Sequence, residues 1–333
     1  MPTRISRRVV LQGGAAVGSW SLRTPGHAAP IGKSEKTRLT AGIPVDAASF
    51  LPVYLAAART WKEQGLEVEL TAFRGDAEVS QALAGGSIDF SVQSADGLIN
   101  MLTANQPVIA FYAGFHQSDF AWLSQPSVQS WGALKGKSAG ISTFGSSTDQ
   151  LTRYALRHHG LTPERDVQMV QAGPPASIAQ ALKADRLGLG ILAPPVSWQL
   201  QDAGFRMLGT QAQEIAPQWP KHVFVARTQF LDANPITVRA ILRAQVAAVR
   251  LARKDRALVV ATLVDRLKYP TGYAERAYDS IMPDYDERGS LPDEASMRVF
   301  WSLQIERGEV KEPWPNSRIL DDRFIRSFAD WAP

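Results

Sequence analysis

The 333-residue sequence contains no cysteine. A chain without thiols cannot form disulfide bonds, present a thiolate nucleophile or carry a lipid on an N-terminal cysteine. The sequence also lacks an H-E-x-x-H zinc motif and a nucleotide-binding P-loop. No stretch is long and apolar enough to remain in a bilayer as a spanning helix. We therefore expect a soluble protein that binds its target rather than one that carries out covalent chemistry.

The first 28 residues have the order of regions found in export signals. Residues 6–11 read SRRVVL, a twin-arginine pattern with valine where phenylalanine is commonest, and a mildly apolar stretch follows. Small residues then lead to the sequence GHA at 26–28, a processing site before Ala29. We predict a twin-arginine signal peptide over residues 1–28, cleavage near Ala28 and a periplasmic mature protein.

The basic character of the chain belongs to this leader. The whole sequence has a formal net charge of +4, and residues 1–28 contain Arg4, Arg7, Arg8 and Arg23 but no acid. Removing these four of the 36 basic residues leaves 32, which equals the number of acidic residues. A balanced mature chain does not favour nucleic acid or an anionic membrane as its partner.

An internal repeat organises the chain. Residues 80–83 read SQAL and precede a short apolar strand, and residues 179–182 read AQAL and do the same about 99 positions later. Upstream, the sequence AGI at 41–43 recurs at 139–141, each time before a helix. Each half therefore alternates strands with helices, an order typical of parallel α/β units. Two similar α/β lobes are predicted.

Two chain crossings divide the predicted lobes. We assign residues 38–115 and 224–333 to lobe 1, which is discontinuous, and residues 116–223 to lobe 2. An apolar stripe from Val238 to Val249 predicts a well-buried helix in the returning part of lobe 1. Two lobes joined by two crossings form a hinge that opens and closes a cleft.

Short stretches spread over nearly the whole mature chain carry a family resemblance. In chain order they are GIP at 42–44, FLPVYLA at 50–56, GLEV at 65–68, QALAGGSIDF at 81–90, LKGK at 134–137, GSST at 145–148, IERGEV at 305–310 and LDDRF at 320–324. With these stretches the chain resembles the periplasmic substrate-binding proteins of ABC importers, and more narrowly the branch that binds nitrate, sulfonates, taurine and thiamine-related pyrimidines.

The resemblance implies both a fold and a partner. The fold is α/β, a two-lobed periplasmic-binding-protein fold of type II, in which each lobe is a mainly parallel sheet flanked by helices and the hinge has two crossings. The implied partner is an ABC permease of the inner membrane with its cytoplasmic ATPase, served by a monomeric receptor. One departure concerns the ligand: Gly188 stands where related proteins often carry an acid, which argues against an ammonium contact from that loop.

The ligand site is predicted from the strand ends. Ligands of open α/β lobes bind outside the carboxyl ends of the parallel strands, and the resemblance points to the same loops. The predicted ligand-binding residues are Asp46, Ser49, Phe50, Arg74, Gly75, Ser94, Thr143, Phe144, Ser146, Ser147, Thr148, Pro194 and Trp198.

The stretch GSST at 145–148 has two interpretations. In the run that follows, Leu151, Ala155 and His158 recur at helical spacing, so a helix begins there. One hydroxyl is then an N-cap worth about 1 kcal/mol, or the free N–H groups and hydroxyls of the helix start bind an anion. Its position after a strand, at the mouth of the predicted cleft, favours ligand contact, with capping as a second role.

Two charged residues have similar alternatives. Arg74 follows a strand and can bind a sulfonate or carboxylate through two hydrogen bonds, or it can pair on the surface with Asp76 or Glu78. Asp46 either caps the first helix or orients a donor of the ligand, and capping is favoured.

We predict that the protein is not an enzyme and needs no cofactor or metal. His158 and His159 are adjacent on a helix and point about 100° apart, so they cannot chelate one ion. Related pyrimidine synthases hold pyridoxal phosphate on a lysine, but the loop at 46–54 contains none. The expected ligand is a small, sulfonate-like organic anion. The alternative ligand is a thiamine-related pyrimidine or another aromatic heterocycle. Two less favoured alternatives for the function are a pyrimidine synthase-like enzyme and a ligand receptor for a sensor kinase.

Overall fold

The computed structural model describes residues 32–333, so the predicted signal peptide over residues 1–28 lies outside the described part of the chain. No helix within residues 32–333 is long and apolar enough to cross a membrane. The ten strands are β1 (Arg38–Ile43), β2 (Glu67–Ala72), β3 (Phe90–Gln93), β4 (Val108–Gln117), β5 (Ala121–Ser124), β6 (Lys137–Ile141), β7 (Val167–Gln171), β8 (Leu189–Leu192), β9 (Arg206–Thr210) and β10 (Gln218–Arg227).

Helices cover both faces of the strands. They are α1 (Leu51–Leu55), α2 (Trp61–Glu63), α3 (Asp76–Ala84), α4 (Ala95–Thr103), α5 (Ser147–His158), α6 (Pro175–Lys183), α7 (Val196–Asp202), α8 (Gln211–Glu214), α9 (Thr228–Ala233), α10 (Pro235–Lys254), α11 (Arg256–Leu267), α12 (Thr271–Ile281), α13 (Glu294–Glu306), α14 (Asn316–Ile319), α15 (Arg323–Arg326) and α16 (Phe328–Trp331). A π-helical turn, Ala56–Thr60, joins α1 to α2, and short 3-10 turns lie at Ala48–Phe50, Trp131–Leu134 and Met282–Asp284.

The strands form two five-stranded sheets of the same design. The first has the order β2-β1-β3-β10-β4 and the second β7-β6-β8-β5-β9. Three neighbouring parallel strands begin each sheet, and the fourth strand, β10 or β5, is antiparallel to both of its neighbours. In both sheets this reversed strand is the one that enters after a crossing from the other sheet. We call the first sheet with its helices the first lobe and the second sheet with its helices the second lobe.

The long helix α10 holds the returning part of the chain on the first sheet. Its apolar face, including Ile241 and Val249, is buried in a core that also contains Trp61, Phe90 and Phe224. The helix lies against α1 and α2 on one side and against α11 and α16 on another. The sequence prediction of a well-buried helix here is confirmed, because nearly every turn of α10 presents a fully enclosed side chain.

A core substitution in α10 tests how much this packing contributes. Ile241 is fully buried, so Ile241→Ala removes three carbons and leaves a cavity, which we expect to lower the free energy of unfolding by about 2–5 kcal/mol. Urea denaturation followed by circular dichroism measures the loss. Lys254→Ala, at the exposed end of the same helix, is the matched control with an expected change within about 0.5 kcal/mol. Equal effects of the two substitutions would contradict this assignment of the core.

Candidate functional site

A partly enclosed cavity of about 90 Å³ lies between the two lobes, at the carboxyl ends of their parallel strands. The loops after β1, β2 and β3 form its wall on the first lobe, and the loops after β6, β7 and β8 form its wall on the second. Residues next to the crossings complete it. The lining residues are Pro44, Val45, Ala47, Ser49, Phe50, Gly75, Asp76, Ser94, Phe120, Ser142, Ser146, Ser147, Thr148, Pro175, Ile178, Ile191, Leu192, Ala193, Lys221 and His222.

The start of α5 forms a polar part of the wall. Ser146 occupies the N-cap position, but its side chain accepts no capping hydrogen bond. Instead its hydroxyl donates to the Thr143 carbonyl at 2.7 Å and contacts the Thr148 hydroxyl at 2.8 Å. The N–H of Gly145, which has a φ of +78°, donates to the Asp149 carboxylate at 2.9 Å. The first N–H groups of a helix have no intrahelical acceptor, so this end of α5 offers donors beside the cavity.

Two hydrogen bonds join α4 of the first lobe to the start of α5. The Ser147 hydroxyl donates to the Asp96 carboxylate, which also accepts a hydrogen bond from the Gln304 amide at 2.7 Å. The Asn100 amide donates to the Gly145 carbonyl at 2.7 Å. Burial raises the pKa of Asp96, and the hydrogen bond from Ser147 opposes that shift. These bonds hold one side of the cleft shut.

Two further contacts close the opposite side of the cleft. Tyr273 of α12 donates a hydrogen bond to the Asp202 carboxylate of α7. The Arg276 guanidinium lies 4.1 Å from the centre of the Trp198 ring, also across the two lobes. The lobes are therefore in contact on both sides of the cavity, and the structure shows a closed cleft.

An ion pair lies where the chain crosses between the lobes. The Lys221 ammonium contacts the Asp119 carboxylate, and both side chains are buried. Burial lowers the pKa of Lys221 to about 7, and the Asp284 carboxylate acts in the opposite direction. Direct contact with the Asp119 carboxylate also favours the protonated amine, so the pair consists of an ammonium and a carboxylate. The ammonium lies 4.5 Å from the centre of the Phe120 ring, within the range of a cation–π interaction.

His222 belongs to an aromatic wall of the cavity. Its ring stacks on Phe50 with 4.0 Å between ring centres, and Phe115 lies on its other side at 5.2 Å. Burial lowers the pKa of His222 well below its ordinary value, and the nearby Lys221 charge adds to that effect. The ring is neutral at physiological pH, so Lys221 is the cationic side chain of the lining.

Asp76 is the acid of the lining. It is the first residue of α3, is 9% exposed, and accepts hydrogen bonds from the Ser94 N–H at 3.2 Å and the Ser94 hydroxyl at 2.8 Å. Burial, with a smaller contribution from the Asp96 charge, raises the pKa of Asp76 to about 6. The hydrogen bonds from Ser94 act against these effects.

Seven of the thirteen residues predicted from sequence line the cavity: Ser49, Phe50, Gly75, Ser94, Ser146, Ser147 and Thr148. Gly75 has a structural reason to lack a side chain. A Cβ atom there would lie 2.7 Å from the Thr143 side chain, so glycine allows the two lobes to touch. Thr143 itself packs at this contact rather than in the lining.

The two charged candidates lie outside the lining. The Arg74 side chain is 80% exposed and pairs with Glu78 at 2.7 Å, which is the surface pairing that the sequence allowed, and it is not in the lining of this cavity. The Asp46 carboxylate accepts a hydrogen bond from the Tyr54 hydroxyl at 3.0 Å and pairs with Arg266 at 3.2 Å. It does not cap the helix, because the 3-10 turn that begins there has no side-chain cap.

The remaining predicted residues also lie around the cavity rather than in it. Phe144 is 50% exposed at the rim of the cleft, where α5 begins. Pro194 follows β8 and precedes Pro195 through a cis peptide bond. Trp198 lies under Arg276 on the outer side of the closed cleft. All three belong to loops that approach the cavity, but their side chains are not in its lining.

Of the twenty lining residues, the thirteen that were not predicted from sequence include four with charged or aromatic side chains: Asp76, Phe120, Lys221 and His222. Lys221 and His222 are fully enclosed polar residues within β10. A basic pair directly before the apolar run 223–226 was the available signal. The pair did not predict a site, because residues inside a strand can be assigned to the cleft only when the position of the crossing is known.

Other candidate chemistries find no support in the described residues. Residues 136–140 match the G-x-S-x-G pattern of hydrolases, but Ser138 lies inside β6 and donates to the Arg186 carbonyl at 3.3 Å. It is not at a strand-to-helix turn, where that motif exposes its nucleophile. Within residues 32–333 no group of three or more His, Asp or Glu side chains is placed to hold a metal ion.

Comparisons with known proteins agree with this architecture. YtlA of Bacillus subtilis, provisionally named as a binding protein, is 26% identical over 271 residues, which are 73% of this chain and 81% of YtlA. The periplasmic aliphatic sulphonate binding protein SsuA of Escherichia coli matches with a TM-score of 0.67 at 18% identity, over 85% of this chain and 91% of SsuA. A ligand-binding component of an ABC-type import system from Staphylococcus aureus, solved with zinc bound, matches with a TM-score of 0.70 at 15% identity, over 86% and 97%.

Two α/β lobes joined by crossings around a partly enclosed cavity define a periplasmic solute-binding protein fold, as in these solved structures. The predicted fold class is confirmed. The family described as NMT1/THI5 like matches residues 47–256, which is more than half of the sequence, and the chain belongs to that family.

The hydrogen bond between Ser147 and Asp96 predicts a change in the closed state. Ser147→Ala removes a donor to a buried carboxylate across the cleft, a loss of about 1–3 kcal/mol that corresponds to a shift of roughly 5- to 150-fold towards the open form. Dyes attached to the two lobes report the distance between them by energy transfer in the absence of ligand. Ser302→Ala removes an exposed hydroxyl that bonds within its own helix and serves as the control. An unchanged distance distribution in Ser147→Ala would show that this bond does not hold the cleft closed.

Proposed function

We propose that this protein is the periplasmic receptor of an ABC importer and that it captures a small organic anion in the cavity between its lobes. One observation carries the proposal: the first residues of α5 and Lys221 both line a partly enclosed space whose remaining wall is mostly apolar. A helix N-terminus and an ammonium both attract negative charge. The apolar wall suits the organic part of such a ligand.

Lys221 has donors to spare for a ligand. An ammonium group has three N–H donors, and Asp119 takes one of them. The ion pair keeps the side chain in place at the crossing while its other donors remain available to the cavity. Serine and threonine hydroxyls from the loop after β6 can complete the coordination of an anion, as sulfonate and carboxylate oxygens accept several hydrogen bonds.

The volume of the closed cavity limits the size of the ligand. At about 90 Å³ the space is smaller than the roughly 150 Å³ of an engineered cavity that binds benzene. A ligand of a few non-hydrogen atoms fits this volume, and a substituted pyrimidine does not fit without a wider cleft. The stack of Phe50 on His222 is the feature that favours the alternative, a flat heterocycle. The size of the cavity favours the short organic anion.

Capture requires no covalent step. A ligand that touches both lobes gains all of its contacts only when the cleft is closed, so its binding shifts the population towards the closed form. The bonds from Asn100 to Gly145 and from Ser147 to Asp96 already favour closure on one side. The predicted leader supports export to the periplasm, and the structural likeness to a component of an ABC-type import system supports delivery to a permease.

A ligand screen tests the proposal. Methanesulfonate, ethanesulfonate, taurine, short carboxylates, nitrate and thiamine-related pyrimidines are compared by thermal shift and then by titration calorimetry. A ligand present at 100 times its Kd adds about 2.7 kcal/mol to the stability of the folded state, which is readily detected. We expect short organic anions to stabilise the protein and the pyrimidines not to.

Matched variants locate the binding site. Lys221→Met combined with Asp119→Asn removes both members of the buried pair, so no charge is left uncompensated, and we expect a loss of anion affinity of roughly 10- to 100-fold. Arg74→Ala is the control, because Arg74 is on the surface, and it should bind normally. Stabilisation by heterocycles alone, or loss of binding in Arg74→Ala with full binding in the double variant, would contradict the proposal.

A further inference from the structure

Asp76 is enclosed in the cavity wall without a cation. Its two carboxylate oxygens accept hydrogen bonds from the backbone and the hydroxyl of Ser94, and no ion pair of the described residues includes it. Its position at the start of α3 places it on the wall of the cleft, where closure of the second lobe covers it. The Thr143 side chain, packed against Gly75, is part of that cover.

The charged groups around Asp76 do not neutralise the negative charge of its carboxylate. From α4, the nearest charge is Asp96, which is itself buried and has the same sign. From β10, Lys221 is held by Asp119, and His222 is neutral. The Arg307 charge lowers the pKa of Asp96. Arg153 of the second lobe is paired with Asp149 at 2.6 Å. On α3 itself, Glu78 is paired with Arg74 on the surface.

Closure of the cleft therefore disfavours the ionised form of Asp76, and so does an anionic ligand. A carboxylate that loses water without gaining a cation is destabilised, and it responds by taking up a proton. An anionic ligand in the same small cavity adds a second negative charge close to the first. Like charges that share a site raise the pKa of the weaker acid, so the ligand strengthens the tendency of Asp76 to be protonated.

We propose that the cavity captures its anionic ligand together with one proton, which the Asp76 carboxyl group holds while the cleft is closed. This inference rests on the proposed function, since it requires that the ligand be an anion. The protonated carboxyl group also gains an O–H donor, which a carboxylate lacks, and it can direct that donor to the ligand or to a neighbouring oxygen.

The sign of the pH dependence follows from the two states of Asp76. An aspartic acid in water titrates at about 3.9, and the proposal requires Asp76 to approach this value when the cleft opens. In the closed cleft burial raises its pKa to about 6, and a bound anion raises it further. Between these values closure takes up a proton, so affinity falls as pH rises. Below about pH 4 the group is protonated in both states, and the dependence disappears.

The experiment measures protons and affinity together. Ethanesulfonate, whose charge does not change between pH 4.5 and 6.5, is titrated into the protein in buffers of different ionisation enthalpy. The dependence of the observed heat on the buffer gives the number of protons exchanged. We expect an uptake of roughly half to one proton at pH 5.5, and a Kd that increases by up to about tenfold per pH unit. The range ends at pH 6.5 to limit the contribution of Lys221, whose pKa burial lowers to about 7.

Two variants isolate the group responsible. Asp76→Asn should abolish proton uptake and make the Kd nearly independent of pH from 4.5 to 6.5. Glu78→Gln, two positions along the same helix and paired on the surface, should behave like the unmodified protein. The buffer experiment on the unmodified chain needs no substitution, so it decides the question even if Asp76→Asn does not fold.

The outcomes separate the two proposals. Binding of ethanesulfonate without proton exchange, or with proton release, would overturn the proton-linked capture while the anion receptor stands. Proton release would mean that binding lowers the pKa of a group in the cleft, the opposite of what is expected for Asp76 beside an anion. If no anion of the panel binds at any pH, the proposed function fails and this inference fails with it.

Discussion

Parallel strands place their carboxyl ends on one edge of a sheet, and in this protein those edges of the two sheets face each other. Helices α3, α4, α5 and α6 therefore all begin at the seam between the lobes. Each helix start carries backbone N–H groups without intrahelical acceptors and the positive end of the helix dipole. The seam attracts negative charge before any side chain is considered. Which side chains lie at the seam, and whether they are protonated, depends on this positive potential of the helix starts.

The two lobes place different side chains at these helix starts. The first lobe supplies its own acids, Asp76 and Asp96, at the starts of α3 and α4, whereas the second supplies hydroxyls at the start of α5. Closure brings one acid, Asp96, onto the Ser147 hydroxyl and leaves the other facing the cavity. The ion pair at the crossing is neutral as a whole, so the space available to a ligand lies between a donor-rich wall and a carboxyl group.

The predicted elements agree with the structure where the signal was local. The repeated strand–helix–strand order appears as two sheets of the same design, and the apolar stripe of α10 is buried as expected. Predictions about single side chains agree less well. Both alternatives for Arg74 were consistent with its neighbours in sequence, and only the fold shows it pointing to solvent beside Glu78. Ser146 has the residue type and the position of an N-cap, yet its hydroxyl bonds to the preceding turn.

By itself the sequence determined the order of the elements, the two lobes and the loops that meet at the cleft, because these follow from periodicity and turn residues within short windows. Only the tertiary structure decided which side chains face the cavity, how large it is and which charges are paired. The deciding contacts join residues far apart in the chain: Asp119 and Lys221 are 102 positions apart, and Asp96 and Ser147 are 51. Such pairs depend on the angle at which two lobes meet about their crossings, and no local pattern records that angle.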